Sequence, residues 1–500
     1  MLYTHYQSKE LKKLMISSSK RHFINDVLTL SVVPLISQLV GLVLLPVITR
    51  IYSPSDFGLF NTFSAIVAFL GVFSTLAYHS SILLPKKDET ASSILISCLI
   101  TTIVFSLFIL ILIFFFHNKI ISLFKIEDLE AYIFLIPIFI FMHGLFQTMR
   151  YWNSRIKNFK KIAQSKISEV ISNKCFSIGY GLAVINNVGG LIYSLLIASI
   201  IKNLFLIFSI KNLKYILFNI EIKKIFTVLS KYKKFPIFSL PSELLSRVPA
   251  LLIVFFVLNF FDSGLLGSYS LTMSVLVVPT VFFTSSIIEA FSPRVAQAIH
   301  SNTHLKVLEE VYERIFSTTF LIFLVLIFFG DKLFSFVFGG SWIIAGVLAQ
   351  ILAVRSLFEV VTTPILSLTA IVQKQELNLI RRIAEISVTV VSFYFGSYFD
   401  NYIYTFILYS VLGSLSILTI TKILMKQINL KFLTLFKRVK YYIKIISIII
   451  ISFSLFKLLK VDSMLLNIMF LIITTSIYYY LVLKHDKELL NIIKSKLNLK

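Results

Sequence analysis

Fourteen long apolar runs separated by basic segments constrain this chain more than any other feature. They lie near 27–49, 57–84, 92–116, 130–151, 162–185, 188–210, 236–261, 265–290, 313–333, 342–371, 376–398, 402–424, 441–459 and 463–483. A helix crosses the hydrocarbon core of a bilayer in roughly 20 residues, and these runs are of that order. Lipid offers no partner to an open backbone, so such runs fold as helices. The expected fold is an all-α polytopic membrane protein with about 14 transmembrane helices. Hydrophobic residues are 57% of the chain and charged residues only 14%, which excludes a soluble domain of 500 residues. The second and tenth runs exceed a straight span, so tilt or a break is expected in each.

Basic residues set the orientation. The net charge is +24, but the Lys and Arg residues lie between apolar runs, where charge anchors topology; no nucleic acid is expected as a partner. With the N-terminus inside, 38 of the 48 Lys and Arg residues fall in inner segments, 6 in outer loops and 4 within spans. Both termini are therefore expected in the cytoplasm, which an even number of spans permits. The first 26 residues are polar and basic, and the run after them is long enough to stay as a signal anchor. Cys98 and Cys175 both fall inside apolar runs, so neither a disulfide framework, a metal site nor a cofactor is expected.

The chain divides at its inner segment 211–235. There Ile222, Ile225, Phe226 and Leu229 recur at helical spacing among Lys223, Lys224 and Lys231, which predicts a helix lying on the inner membrane face. The expected segments are a cytoplasmic 1–26, a six-helix bundle over 27–210, the amphipathic linker 211–235 and a second six-helix bundle over 236–424. A linker with helices 13 and 14 follows over 425–483, then a cytoplasmic tail over 484–500. The bundles look related. Lys160-Lys161-Ile162-Ala163-Gln164 opens the fifth span, and Arg381-Arg382-Ile383-Ala384-Glu385 opens the eleventh, 221 residues later. Gly58-Leu59-Phe60 and Gly267-Ser268-Tyr269 open the second and eighth, 209 apart. Six spans is an even number, so the repeat would be parallel, about a pseudo-twofold along the membrane normal.

No enzyme signature is present: there is no metal-ligand spacing, phosphate-cradling loop or nucleophile elbow. Outer loops such as Asn186-Asn187, Asp262-Ser263 and Asp400-Asn401 are little more than turns. The chain is not expected to be an enzyme. His79 and His143 read as polar groups that pack helices. What remains is charge inside spans, which costs several kcal/mol if it faces hydrocarbon. Glu243 and Arg247 lie one turn apart in span seven, between Pro241 and Pro249, which allow a bend. They are either a charge pair that holds helices together or part of a polar pathway. Arg355 and Glu359 repeat that spacing in opposite order in span ten, as a neutral internal salt bridge or as part of the same pathway. Lys174 lies midway along span five with no carboxylate nearby in sequence. Lys202 is nearer an inner end and can snorkel, and Glu385 is expected to pair with Arg381 and Arg382. Excess positive charge at this depth favours an anion. A phosphate or pyrophosphate would gain charge-assisted hydrogen bonds from Arg247, Arg355 and Lys174. Glu243 and Glu359 would compete with that anion until protonated, which would couple its movement to an ion gradient.

LPVITRIYSPSDFGLFNTFSAIVAFLGVFST, from Leu45 to Thr75, followed by LLPKKDETA, resembles the start of bacterial polysaccharide-export flippases of the Wzx (O-antigen flippase) type. RYWNSRIKNFKKIAQSKISEV at 150–170 is similar to that family's basic loop, and KFPIFSLPSELLS, AFSPRVAQA and FGGSWIIAGVLAQILA follow in order. The resemblance covers roughly 25–425. It places the chain in the multidrug/oligosaccharidyl-lipid/polysaccharide exporter superfamily. It implies two six-helix bundles around a central cavity, in the bacterial cytoplasmic (inner) membrane. The implied partners are membrane lipids and an undecaprenyl-pyrophosphate-linked oligosaccharide moved from inner to outer leaflet, with a proton or sodium ion for coupling and glycan-assembly proteins alongside. Arg50, Tyr52, Asp56 and Gly58 in TRIYSPSDFG read as gating or loop structure. Two rivals stay open: a cation-coupled multidrug exporter of the same superfamily, which the lone Lys174 disfavours, and a membrane oligosaccharide polymerase, which would need a larger outer loop.

Overall fold

The structure, a computed structural model, describes residues 36–184, 187–210, 222–300, 304–369, 374, 376–459 and 463–486, with their side chains except at 124, 222–223, 282–300, 304 and 464. The expected N-terminal segment 1–26, the start of the first span, the linker residues 211–221 and the tail beyond 486 lie outside the described residues. Every regular element described is helical. The chain forms two compact units, Met1–Leu266 and Gly267–Lys500.

The first unit contains α1 (Ile36–Ile51), α2 (Pro54–Gly71), α3 (Asp88–Phe124), α4 (Ile136–Arg155), α5 (Phe159–Ala183), α6 (Val188–Ile207), α7 (Ile222–Lys231) and α8 (Leu240–Phe260). Ser53 caps α2 in a reciprocal box with Asp56, and Pro54 opens the helix where its missing N–H is not needed. Tyr52 is buried and donates from its hydroxyl to the Ser177 carbonyl of α5, 2.8 Å away. These contacts give TRIYSPSDFG a structural job. α5 and α6 pack against each other, and Ser177 Oγ meets Ser194 Oγ at 2.7 Å, a small-residue contact of the kind that joins helices in lipid.

The second span breaks, as its length predicts. α2 stops at Gly71, a 3-10 turn runs to Thr75, and Leu76 and Ala77 take left-handed φ of 48° and 59°. Neither is glycine, so the backbone is strained there. A second 3-10 stretch, Tyr78–Leu83, then carries His79 into the bundle. Span seven starts with a π-helical turn, Phe235–Ser239, that runs into α8. In α7, Ile225 and Val228 are buried against α3 and Leu229 is partly buried, whereas Phe226 is exposed. The buried stripe is thus 225–228–229, and Phe226 lies at its exposed edge.

The second unit contains α9 (Ser263–His300, from Gly267 on), α10 (His304–Phe338), α11 (Ile343–Leu366), α12 (Glu376–Ser397), α13 (Tyr402–Gln427), α14 (Phe432–Leu458) and α15 (Met464–His485). α11 packs on α10 and α13, and α12 on α13. Asn401 caps α13 by accepting from the Ile403 N–H, as Asn187 caps α6 by accepting from that of Gly189. The last two helices pack on α10: Phe453 lies against Phe329 and Phe470, and the Tyr478 hydroxyl donates to the Ser317 carbonyl.

Among the described residues, 11 helices are long and apolar enough to cross a membrane. Each coincides with one of the fourteen runs. The remaining three runs are the first, described only from residue 36, and the fifth and eleventh. The last two are the helices α5 and α12, of 25 and 22 residues. Their length suits a span, but their charged residues reach far enough in that neither keeps as long a charge-poor stretch as the eleven do. The chain is a multi-pass, all-α membrane protein, and on α5 and α12 charge extends well into the helix.

Candidate functional site

In the second unit the charges of α11 and α12 converge. Arg355 of α11 reaches across to α12, where its Nη2 donates to Glu385 Oε1 at 3.3 Å. Arg382 Nη1 donates to the other oxygen, Oε2, at 3.4 Å. One carboxylate is thus wedged between two guanidinium groups. The Arg355 guanidinium also lies over the Tyr409 ring of α13, 4.2 Å from its centre, an attractive cation–π geometry. Only 12% of the Arg355 side chain is exposed. Gly413 makes room for it, since a Cβ there would come within 3.0 Å of Arg355.

This arrangement corrects the expected Arg355–Glu359 pair. An Arg one turn before a Glu is the weaker order on a helix, and Arg355 takes the partner on the neighbouring helix instead. The Glu359 carboxylate makes no hydrogen bond or ion pair among the described residues. Both groups nevertheless line one cavity of about 130 Å³, with Arg381, Arg382, Glu385 and Ser416. Arg355 Nη1 and Arg381 Nε are buried without a hydrogen-bond partner. Unbonded guanidinium N–H groups are costly to bury, and an anion that reached them would relieve that cost. Glu385 pairs with Arg382 as expected, but not with Arg381.

The first unit holds a second cluster, on α4, α5 and α6. Lys202 of α6 pairs with Glu169 of α5 and sits over the Phe146 ring at 4.3 Å, so it is held inside the bundle rather than snorkelling. Arg150 of α4 stacks over Tyr151 at 4.8 Å, and its Nε is buried without a partner. Lys166 of α5 has Arg150, Glu169 and Lys202 as its charged neighbours, yet it forms no ion pair among the described residues. His79 shares a hydrogen bond with Thr75 Oγ1 at 2.6 Å and packs on Tyr151. His143 lies 3.4 Å from Gln147. Both histidines therefore have the packing role the sequence suggests.

Glu243 faces His79, 3.9 Å away, and Arg247 is not within ion-pair distance of it. That corrects the charge pair read from span seven. Arg247 is exposed and, like Lys174, makes no hydrogen bond or ion pair among the described residues. Arg247 still joins Arg150 and Lys202 as a cation near His143. Lys174 stands apart, farther along α5 than Glu169. Of the three cations expected to cluster, Arg247 and Lys174 belong to the first unit and Arg355 to the second.

Sequence reasoning missed Arg150, Lys166 and Glu169, and undervalued Arg381 and Arg382. Arg150 and Lys166 look like loop charges because they border apolar runs. The signal that could have found them is the KKIAQ and RRIAE repeat, which begins within the first two turns of the two span-length helices that keep no long charge-poor stretch.

The sequence matches the family described as polysaccharide biosynthesis protein over residues 47–347, more than half of the chain. Among curated proteins, none matches it significantly in sequence. An inward closed structure of the lipid II flippase MurJ is similar in fold, with a TM-score of 0.68 at 15% identity, covering 91% of this chain and 99% of that one. An inward-facing multidrug resistance MATE transporter of the MOP superfamily has a TM-score of 0.58 at 13% identity, covering 78% and 94%. An outward-facing structure of such a transporter gives 0.50 at 14% identity, covering 81% and 95%. At these identities the likeness is one of fold.

Proposed function

Because the chain belongs to the polysaccharide biosynthesis protein family, we propose that it is a flippase for undecaprenyl-pyrophosphate-linked oligosaccharide repeat units. It moves them from the inner to the outer leaflet of the bacterial cytoplasmic membrane by alternating access, driven by an ion gradient. The observation that carries this reading is the α11–α12 cavity, where three arginines meet two carboxylates and two guanidinium N–H groups stay unbonded. An apolar cargo has no use for such a place in lipid, and a cationic drug would be repelled by it.

The pyrophosphate is held in the α11–α12 cavity by Arg355, with Arg381 and Arg382 beside it; Arg247 and Lys174 of the first unit are assigned to the headgroup as separate contacts along its path. Phosphate oxygens and Glu385 compete for the same donors on Arg355 and Arg382. Binding therefore exchanges one anion for another, and release is helped by the carboxylate returning. Glu359 at the rim of that cavity and Glu243 beside His79 are the coupling groups: protonated, each repels the incoming anion less. The π turn and the prolines of span seven let α8 act as the moving element.

The test is a deletion strain, with the gene returned on a plasmid as the control. Without the protein, fully assembled lipid-linked units should accumulate on the cytoplasmic leaflet, and surface polysaccharide should be lost. Units that reach the outer leaflet normally but fail to polymerise would overturn the flippase reading in favour of a polymerase.

A further inference from the structure

A second cavity lies in the first unit, away from the cationic clusters. It has a volume of about 490 Å³ and is lined by Ser53, Ser55, Asp56, Asp128, Tyr132 and Asn187 together with apolar groups. By the charge bias these residues are on the extracytoplasmic side. The volume is that of an ordinary small-molecule pocket. Its polar groups are partly spoken for: Asp56 Oδ2 accepts from Ser53, Ser55 meets Ser263, and Asn187 Oδ1 accepts from the Gly189 N–H. The rest are spare. The Asp128 carboxylate, the Tyr132 hydroxyl and the Asn187 amide NH2 make no hydrogen bond among the described residues.

We propose that this cavity is a glycan subsite, which holds a neutral or amino sugar of the repeat unit at the outer mouth. The assignment rests on the flippase reading and adds to it where the sugar, rather than the pyrophosphate, is held. The spare groups match sugar chemistry. A carboxylate accepts from hydroxyls, an amide NH2 donates to the neighbouring oxygen, and a phenol does either. Tyr132 also starts a row of rings: it meets Tyr193 edge-on at 5.8 Å, and Tyr193 lies 6.1 Å from Tyr180. Phenol rings with one apolar face and one polar tip suit the two-sided surface of a pyranose. The lining has two carboxylates and no cation, so the pyrophosphate end is repelled and the glycan end accepted.

The probe is the free glycan released by mild acid from the lipid-linked units of the same cells. Saturation-transfer NMR on the purified full chain in lipid nanodiscs reads its binding without lipid or phosphate. Asp128 is exposed, so Asp128→Asn should fold normally, and Tyr132→Phe keeps the ring. Each should weaken glycan binding about fivefold, the worth of one hydrogen bond, while Arg355→Ala should bind the free glycan as the unaltered chain does. Equal binding by all variants, or none by the unaltered chain, overturns the subsite. Abolition of the signal by millimolar calcium or sodium would assign the carboxylates to a cation and overturn it too. The leaflet assay judges flipping separately, since export can fail in Arg355→Ala with glycan binding intact.

Discussion

α5 and α12 hold the same place in their units, but they bury charge differently. Each carries a basic pair within its first two turns, and each packs on a following helix that an Asn caps. On α12 the carboxylate comes four residues after the first basic residue, and Glu385 settles between Arg355 and Arg382. On α5 the equivalent position is Gln164, whose Oε1 is buried without a partner. The carboxylate comes at Glu169, five residues or roughly 7.5 Å farther along, and it meets Lys202 alone. Arg150 and Lys166 are left without a hydrogen-bonded anion. Shifting one carboxylate along a helix thus turns a nearly self-neutralised cluster into one with spare cations.

The comparison breaks hardest at Arg355. Arg355→Ala removes the stack on Tyr409 and one of the two donors to Glu385. Loss of one partner from a buried pair costs about 3–5 kcal/mol when the other is stranded, but Arg382 still holds Glu385. Export should therefore be abolished while membrane abundance stays close to normal, as measured by leaflet assay and immunoblot. Normal export would remove the α11–α12 cavity from the mechanism.

Glu385→Gln imposes the α5 pattern on α12. The amide neutralises the wedge, and the arginines keep their charge. An anionic headgroup then meets a weaker competitor, and a charged hydrogen bond is worth roughly 1.5–3 kcal/mol. Headgroup binding should tighten about tenfold or more, and turnover should slow because nothing displaces the cargo. Single-turnover and steady-state flipping in proteoliposomes separate the two effects. Faster steady-state turnover would show that Glu385 holds the arginines in place instead of competing.

The same contrast predicts unequal stability effects in the first unit. Arg150 satisfies no anion, so Arg150→Ala should leave the melting temperature nearly unchanged and lower export several-fold through lost positive charge. Lys202→Ala strands Glu169 inside the bundle and should lower stability measurably. Thermal unfolding in detergent reads both. Equal destabilisation by the two would mean that Arg150 is structurally engaged after all.

What could be read from the sequence follows the same division. Hydropathy alone located eleven of the helices, because a bilayer demands one length and one composition. The same runs include α5 and α12, although charge leaves these two helices no charge-poor stretch as long as the eleven keep. Break points were half legible: the excess length of span two announced a break, but not the left-handed Leu76 and Ala77 that turn His79 inward. Ion pairs were not legible. Glu243 with Arg247, and Arg355 with Glu359, are one turn apart, and the i,i+4 rule proposes them. Inside a bundle a long side chain can reach a neighbouring helix instead, and partner choice there is settled by packing that one sequence does not reveal. Hence Glu385 was right for Arg382 on its own helix, and its partner Arg355 on α11 went unseen.

The smallest effect expected sharpens the reading of TRIYSPSDFG. The Tyr52 hydroxyl donates to a carbonyl of α5 that lies within the helix, so losing it strands no acceptor. Tyr52→Phe should cost about 1 kcal/mol and lower the melting temperature by less than about 2 °C in a chain this long. Export should be unchanged, because the residue ties the start of α2 to α5 and touches neither cationic cluster. A clear export defect with normal stability would instead make this tie a moving contact, and the segment a gate. In that case the first unit, with its spare cations, would change shape around α5 during transport, and the self-neutralised cluster on α12 would be the fixed half of the pair.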